Sequence, residues 1–241
     1  MKIWGISDLH LSFSTNKPMD IFGDNWTDHA GQMAAAWDAI VAPDDVVLCP
    51  GDLSWAMKLE EAAIDLAWIG ARPGLKILGR GNHDYWWSGI GKVRKLLASH
   101  PEWRCLALQN DAVVLDEVVV AGSRAWCMPG SWEFTQADQK IYDREVLRLE
   151  MSLKDAQAKA EGRPIIAAIH YPPLGFQGAE SKLSELLEKF KVTLCVFGHL
   201  HGAKHHNAAF KGNKNGIEYR LIACDFLKFV PTLLWPLEVP S

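Results

Sequence analysis

Short apolar runs, each followed at once by a polar cluster, recur five times along this chain of 241 residues. The runs span 3–6, 46–49, 75–78, 165–169 and 192–197. Each run has the length of a buried strand, and helical patterns separate the first three runs. This alternation is typical of α/β proteins with a parallel sheet, in which ligands bind beyond the carboxyl ends of the strands.

The polar clusters carry side chains that proteins use to bind divalent metal ions. In chain order they are Asp8 and His10, Asp52, the run Asn82-His83-Asp84, His170, and the pair His199 and His201. Side chains two residues apart on an extended segment point the same way, so Asp8 and His10 can serve one ion. By the same rule Asn82 and Asp84 can face one way while His83 faces another. That arrangement suits one residue that holds an ion and a neighbour that moves a proton.

In chain order these blocks read D-x-H, G-D, G-N-H-D, H and G-H-x-H. The pattern resembles that of the calcineurin-like metallophosphoesterases, in particular the bacterial-type phosphohydrolases of that superfamily. The resemblance extends from Asp8 to His201, and every block is complete. It implies a four-layer α-β-β-α sandwich with mixed sheets. It also implies a two-metal phosphoesterase, in which a hydroxide that bridges the ions attacks a phosphomonoester or phosphodiester in line with the leaving oxygen.

The resemblance implies a role for each residue of the five blocks. Asp8, His10 and His201 would bind the first ion, Asn82, His170 and His199 would bind the second, and Asp52 would bridge both. His83 would act as the general acid, or as a charge partner of the phosphoryl oxygens, with Asp84 orienting its ring. Asp84 could instead cap the helix that follows it.

The identity of the two ions is left open by this donor set. Three carboxylate or amide oxygens and four imidazoles suit Mn²⁺, Fe or Zn²⁺ better than Mg²⁺ or Ca²⁺, which prefer oxygen ligands alone. A structural zinc site is disfavoured, because such sites close with four cysteine and histidine ligands.

Four further residues are candidates for binding the substrate. Trp55, Trp86 and Trp87 lie within three residues of a block, and they could stack on an aryl or nucleoside leaving group. They could equally wall the cleft or pack locally. Arg124 follows a predicted strand at 118–122 and could clamp a phosphate through a bidentate contact, with an ordinary surface arginine as the alternative.

No internal repeat or linker interrupts the chain, so the sequence predicts one domain over residues 1–241. The segments 12–25 and 123–160 are candidate lid elements, because long connections are often binding loops. Three further elements are expected, namely a helix capped by Thr27 that ends near residue 41, a long helix over 136–160, and a closing hairpin with strands at 205–210 and 217–224.

The resemblance implies a small phosphorylated substrate, nucleotide-like in one interpretation, and composition argues against nucleic acid or a membrane as the partner. The net charge of −4 argues against a non-specific nucleic-acid binder, whereas bound metals can set the local charge of a phosphate site. We find no run of about 18 apolar residues to span a membrane and no room for a signal peptide before the first strand. Five cysteines without a C-x-x-C pair indicate reduced thiols and a cytoplasmic location.

Two other functions stay open on the sequence alone. A nuclease or RNA-end phosphodiesterase of the same superfamily would need a basic groove, and the visible cluster is limited to Lys204, Lys211 and Lys214. A non-catalytic scaffold that keeps the fold is disfavoured, because neither a ligand nor the general-acid histidine is missing. The blocks do not choose between phosphomonoesters and phosphodiesters, and the oligomeric state is open.

Overall fold

A computed structural model describes residues 1–237 of the chain. The chain divides into two compact units. The first unit contains residues 1–107 and the C-terminal segment that begins at residue 222, and the second unit contains residues 108–221. The prediction of a single domain over the whole chain stays a prediction.

Strands and helices alternate along most of the described chain. The strands are β1 (Ile3–Gly5), β2 (Val46–Cys49), β3 (Leu75–Leu78), β4 (Cys105–Ala107), β5 (Ala112–Val114), β6 (Val119–Ser123), β7 (Ile165–Ile169), β8 (Leu194–Phe197), β9 (Gly212–Lys214), β10 (Ile217–Leu221) and β11 (Thr232–Trp235). The helices are α1 (His29–Ile40), α2 (Leu59–Gly70), α3 (Ile90–Ala98), α4 (Gln139–Lys159), α5 (Lys182–Lys189) and α6 (Gly202–Ala208).

The sheet of the first unit has the strand order β11-β1-β2-β3-β4. Strands β1 to β4 run parallel, and β11 pairs antiparallel with β1. All four side chains of β2 are buried, which is typical of a parallel strand covered on both faces. The parallel arrangement brings the segments that follow β1, β2 and β3 to one edge of the sheet.

The sheet of the second unit has the order β5-β6-β7-β8-β10-β9. Strands β6, β7, β8 and β10 are parallel, while β5 and β9 pair antiparallel at the two edges. Helix α4 packs against β5 and β6 and buries Leu149 and Leu153 completely. Because β7 and β8 run parallel, the segments that follow them emerge at the same edge of this sheet.

These two sheets confirm the predicted α/β class with mixed sheets. The long helix predicted over 136–160 is α4, Gln139–Lys159. Segment 12–25 contains the short 3₁₀ helix Asp20–Phe22, and the lid role of both long segments stays a prediction. Within residues 1–237 we find no helix that combines the length and the apolar character needed to cross a bilayer.

Three local predictions need correction. Residues 205–208, predicted as strand, belong to helix α6, where the rings of His205 and His206 bond the carbonyl oxygens of His201 and Leu200. The closing hairpin is formed by β9 and β10 instead. Helix α1 is capped by Asp28 rather than Thr27, because the Asp28 carboxylate accepts a hydrogen bond from the Gly31 amide. Strand β11 was not predicted at all.

Lys76 of β3 is a buried cation that holds a chain turn in the first unit. Its side chain is only 1% exposed, and Nζ donates to the carbonyl oxygens of Gly70, Arg72 and Gly74 at 3.2, 2.6 and 2.9 Å. These carbonyls lie at the end of α2 and in the turn that leads to β3. Burial lowers the pKa of the Lys76 ammonium below its ordinary value of 10.5.

Replacement of Lys76 by Met is expected to lower the free energy of unfolding by about 2 kcal/mol, because buried carbonyls lose their donor. Since the folded protein holds the Lys76 proton less tightly than the unfolded chain, wild-type stability gains relative to Lys76→Met as the pH rises toward 10.5. Denaturant unfolding of both proteins at several pH values measures the difference between their free energies of unfolding. The other titrating groups are common to both proteins, so their contributions cancel in this difference. If the stability advantage of wild type over Lys76→Met shrinks as the pH rises, the lowered pKa of Lys76 is contradicted.

Candidate metal centre

The first unit gathers three predicted metal ligands at the edge of its sheet. Asp8 and His10 follow β1, and Asp52 follows β2. Donor atoms of Asp8 lie within 4.8 Å of donor atoms of both His10 and Asp52, and His10 Nε2 is 3.9 Å from Asp52 Oδ2. All three side chains are buried. Two buried carboxylates at this separation repel each other unless a cation neutralises them, so this donor set fits a divalent metal ion.

The backbone of this cluster adopts a conformation that ordinary residues rarely use. Asp8, His10 and Asp52 have φ values of 60°, 46° and 51°, in the left-handed region. Hydrogen bonds hold them there, from the Asp8 amide to the Gly51 carbonyl and from the His10 amide to the Asp52 carbonyl, both at 3.0 Å. Each such residue costs about 1 kcal/mol or more, and strain of this kind clusters at functional sites.

Glycines 51 and 81 allow the segment that follows β2 to contact the segment that follows β3. A Cβ atom on Gly81 would lie 2.0 Å from Asp52 Oδ1 and 2.3 Å from the Asp52 amide nitrogen. Gly51 has a φ of 113°, and a Cβ atom there would lie 2.6 Å from the Gly81 nitrogen. The side chain of Asp52 therefore owes its position to the absence of side chains at both glycines.

Asp84 joins these two segments through its buried carboxylate. It accepts hydrogen bonds from the amides of Gly81 (2.7 Å), Asp52 (2.9 Å), Leu53 (2.9 Å) and Ser54 (3.2 Å), and from the indole of Trp86 (3.0 Å). These contacts give Asp84 a role in holding Asp52 in place. Its predicted role toward the ring of His83 stays a prediction.

His83 lies beside the cluster of the first unit and is partly buried, as is its neighbour Asn82. The His83 amide donates to Asp52 Oδ1 at 2.8 Å. Its ring centroid is 5.7 Å from that of His10 and 4.4 Å from that of Trp55. Trp55 also stacks on His10, with centroids 5.0 Å apart and planes at 22°, so one indole packs against both imidazoles.

Two of the three tryptophans that were candidates for stacking on a leaving group are buried. Trp86 and Trp87 are 1% and 0% exposed and belong to the hydrophobic core of the first unit. A ligand could stack on them only after the core opened, so they pack locally, as the alternative interpretation held. Trp55 is partly exposed, and its predicted contact with a leaving group stays a prediction.

Arg124 of the second unit is engaged by a carboxylate. Its Nη2 donates to Glu145 Oε1 at 3.2 Å, and its guanidinium carbon lies 4.3 Å from the ring centroid of Trp126. Glu145 is 1% exposed and also accepts from Arg148 at 2.6 Å. This network gives Arg124 a structural partner, and its contact with a phosphate stays a prediction.

The second unit brings together two predicted imidazole ligands. His170 follows β7 and is fully buried, and its ring centroid lies 5.3 Å from that of His199, which follows β8. His199 has a φ of 70°, so this unit repeats the left-handed backbone of the first. His201 is partly buried and begins α6 as its N-cap residue.

Two residues near His199 were missed by the sequence reasoning. The ring of Tyr171 lies 3.9 Å from that of His199, and both carboxylate oxygens of Glu133 lie 3.3 Å from His199 Nε2. Tyr171 directly follows His170, which was a usable signal. Glu133 lies in an irregular segment far from any block, and its presence in a predicted lid was the only hint.

Comparison with known proteins agrees with the residue blocks. A family model described as calcineurin-like phosphoesterase matches residues 1–203. The Gene 66 protein of Mycobacterium phage L5 is 37% identical over 81 residues, which are 34% of this chain and 39% of the phage protein. The corresponding protein of Mycobacterium phage D29 is 38% identical over 84 residues, or 34% and 40% of the two chains. The matched segment thus spans about two fifths of these relatives.

Two solved structures share the fold along almost the whole chain. Phosphopantetheinyl hydrolase from Mycobacterium tuberculosis has a TM-score of 0.60 at 14% identity, with 100% of this chain and 98% of that chain covered. Protein AQ665 of unknown function from Aquifex aeolicus has a TM-score of 0.50 at 16% identity, with 96% and 95% covered. At these identities the likeness shows the fold alone.

Proposed function

Since the chain belongs to the calcineurin-like phosphoesterase family, we propose that it is a metal-dependent phosphohydrolase that cleaves small phosphomonoesters or phosphodiesters. The observation that carries the proposal is the buried cluster of Asp8, His10 and Asp52. Two buried carboxylates beside an imidazole form an arrangement that is unfavourable without a cation and suitable for one.

We propose that two divalent ions are held by the seven residues of the family pattern. They are Asp8, His10, Asp52, Asn82, His170, His199 and His201. When bound, such ions activate a water molecule for attack on phosphorus and neutralise the charge that develops on the phosphoryl oxygens. The mixture of oxygen and imidazole donors favours Mn²⁺, Fe or Zn²⁺.

The chain supplies the proton-transfer group and its support. The His83 amide donates to Asp52 and the His83 ring packs on Trp55, so the imidazole is held beside the proposed metal ligands of the first unit. We propose that His83 donates a proton to the leaving oxygen. Trp55 restricts the orientation of the rings of both His83 and His10.

Replacement of His83 by Ala is expected to keep both metals and to lower turnover by about 10²–10⁴-fold. A proton donor matters most for a poor leaving group, so alkyl phosphates should lose more than p-nitrophenyl phosphate. Metal analysis and steady-state kinetics on both substrates measure this. Equal losses would identify His83 as a charge partner of the phosphoryl oxygens, and loss of metal would show that it is a ligand.

Small substrates are favoured over nucleic acid by the engagement of the lysine cluster. Lys211 Nζ donates to the carbonyl oxygen of Ala209 at 2.9 Å. Lys214 donates to the carbonyl oxygen of Gly178 at 2.7 Å and pairs with Glu180 at 3.2 Å. A cytoplasmic location is supported by the five cysteines, which are free and buried.

The proposed function is tested by hydrolysis assays on the metal-loaded chain. Protein loaded with Mn²⁺ should release p-nitrophenolate from p-nitrophenyl phosphate or from bis-p-nitrophenyl phosphate, and the faster substrate distinguishes a monoesterase from a diesterase. A phosphopantetheinyl ester belongs in the same panel, because the M. tuberculosis structural neighbour is a phosphopantetheinyl hydrolase. No turnover of any ester in the panel would favour the non-catalytic scaffold.

A further inference from the structure

A cavity of about 550 Å³ lies within the second unit, and neither His83 nor any of the seven proposed metal ligands lines it. Its wall comes from residues within three segments, 127–133, 172–180 and 200–209. The volume falls in the range of about 300–1,000 Å³ that is typical of small-molecule sites. The cavity is therefore large enough for an organic group of moderate size.

The wall of the cavity is mainly apolar and carries two exposed aromatic rings. Met128, Leu174 and Leu200 contribute aliphatic surface. Trp132 and Phe176 also line the cavity and are 76% and 67% exposed, unusual values for such large apolar side chains. Exposed apolar side chains grouped around one cavity indicate a binding surface.

Trp132 is held in position before any ligand arrives. Its ring stacks on that of His205 with centroids 5.3 Å apart and an angle of 2° between the planes. His205 is in turn fixed by its Nδ1, which lies 2.9 Å from the carbonyl oxygen of His201. A wall residue that is already ordered loses little conformational entropy on binding, which favours affinity.

The cavity borders two proposed metal ligands. Glu133 lines it, and both carboxylate oxygens of Glu133 contact His199 Nε2 at 3.3 Å. His205 also lines it and bonds the backbone of His201. A substituent on a phosphoryl group bound at His199 and His201 would therefore lie next to residues of the cavity wall.

The charges of the wall disfavour an anionic occupant. Among the residues of the described chain that line the cavity, the acidic side chains are Glu133 and Glu180, and lysine and arginine are absent. Glu180 is paired with Lys214 at 3.2 Å. A leaving group that carries phosphates of its own would have to leave water and lie against carboxylates and apolar carbon, which is unfavourable.

We propose that this cavity binds the leaving group of the substrate and that this group is uncharged and apolar, either aliphatic or aromatic. The inference rests on the proposed function, because it places the phosphoryl group at the metal ligands. It names the substrate class as phosphate esters of apolar alcohols or phenols, and it disfavours nucleotides and nucleic acids.

Calorimetric titration of the metal-loaded full chain with ethylphosphonate and hexylphosphonate tests the inference. Both probes carry the same phosphonate head and resist hydrolysis, so their difference reports the alkyl chain alone. Hexylphosphonate is expected to bind about tenfold more tightly or better, because its additional methylene groups leave water for the apolar wall. Equal affinities would overturn the inference.

Variants of the two exposed aromatic residues locate the effect. Trp132→Ala and Phe176→Ala should each weaken hexylphosphonate binding about fivefold and weaken ethylphosphonate binding much less. Leu147→Ala is the matched control, since Leu147 is 62% exposed on α4 and lies outside the cavity wall. Equal weakening of both probes would overturn the assignment of these residues.

Parallel turnover of the p-nitrophenyl esters separates the two proposals. Turnover without a preference for the longer alkyl chain would remove the cavity from substrate binding and leave the phosphohydrolase intact. A preference for hexylphosphonate without turnover of any ester would support the cavity as a ligand site and contradict the proposed catalytic function.

Discussion

Asp52→Asn is expected to reduce turnover of p-nitrophenyl phosphate by about 10³-fold or more. The substitution keeps the shape of the side chain, and its amide oxygen can still accept the hydrogen bond that the His83 amide donates to Asp52 Oδ1. It removes the negative charge that faces Asp8 and His10. The loss therefore reports the charge of the proposed bridging ligand rather than a rearranged loop.

Two further measurements sharpen the Asp52→Asn experiment. Without metal, the variant should unfold at the same or a higher denaturant concentration than wild type, because one of two mutually repelling buried carboxylates is gone. Asp45→Asn is the matched control, since Asp45 is also buried in the first unit and accepts from the Lys2 amide and the Trp4 indole. The control should lose stability and retain turnover. Full turnover in Asp52→Asn would contradict the proposed ligand set.

Asp84→Ala is expected to lower the free energy of unfolding by about 3 kcal/mol or more and to abolish turnover. Four backbone amides and one indole lose their acceptor, and buried donors without a partner are strongly unfavourable. Because two of these amides belong to Gly81 and Asp52, the proposed bridging ligand would also move. Denaturant unfolding and metal analysis of the variant measure both effects.

The control for Asp84→Ala is Asp138→Ala in the second unit. Asp138 also accepts from an indole and a backbone amide, those of Trp126 and Thr135, but it is less buried. It should therefore lose much less stability. If Asp84 acted only by orienting the ring of His83, Asp84→Ala would behave like His83→Ala, with wild-type stability and both metals retained. That result would contradict the structural role assigned to Asp84.

The sheet-edge location of the proposed metal ligands follows from the sequence, because it depends on a simple local rule. Residues that directly follow parallel buried strands lie at one sheet edge, so the positions of Asp8, Asp52 and Asn82 in the first unit follow from apolar runs and chain order. The same rule places His170 and His199 at one edge in the second unit. Gly81, the first residue of the G-N-H-D block, allows the close backbone approach to Asp52.

Other features depend on long-range contacts that no local pattern encodes. Trp86 and Trp87 lie next to a polar block, yet the core of the first unit buries them. Glu133 reaches His199 across 66 positions of the chain from an irregular segment. Strand β11 is defined by its pairing with β1 at the other end of the chain. In each of these cases the burial, contact or pairing depends on packing between distant segments, and the neighbouring residues in the sequence do not predict it.

The positive φ values of the predicted ligands were likewise beyond sequence reasoning. Asp and His adopt a left-handed backbone more often than most residues but far less often than Gly, so their presence alone does not predict it. Here Asp8, His10, Asp52 and His199 all adopt it. These four residues share a strained backbone, so the placement of their side chains is kept at a cost in local backbone stability. Such a cost is expected at a functional site.

The number of metal ions bound per chain tests the central claim most directly. Elemental analysis of the purified chain after Mn²⁺ loading and removal of free metal should find about two ions per wild-type chain and a clear deficit in Asp52→Asn, with hydrolysis falling in step. A wild-type chain that binds no metal and yet hydrolyses phosphate esters, or one that keeps full occupancy in Asp52→Asn, would contradict the account.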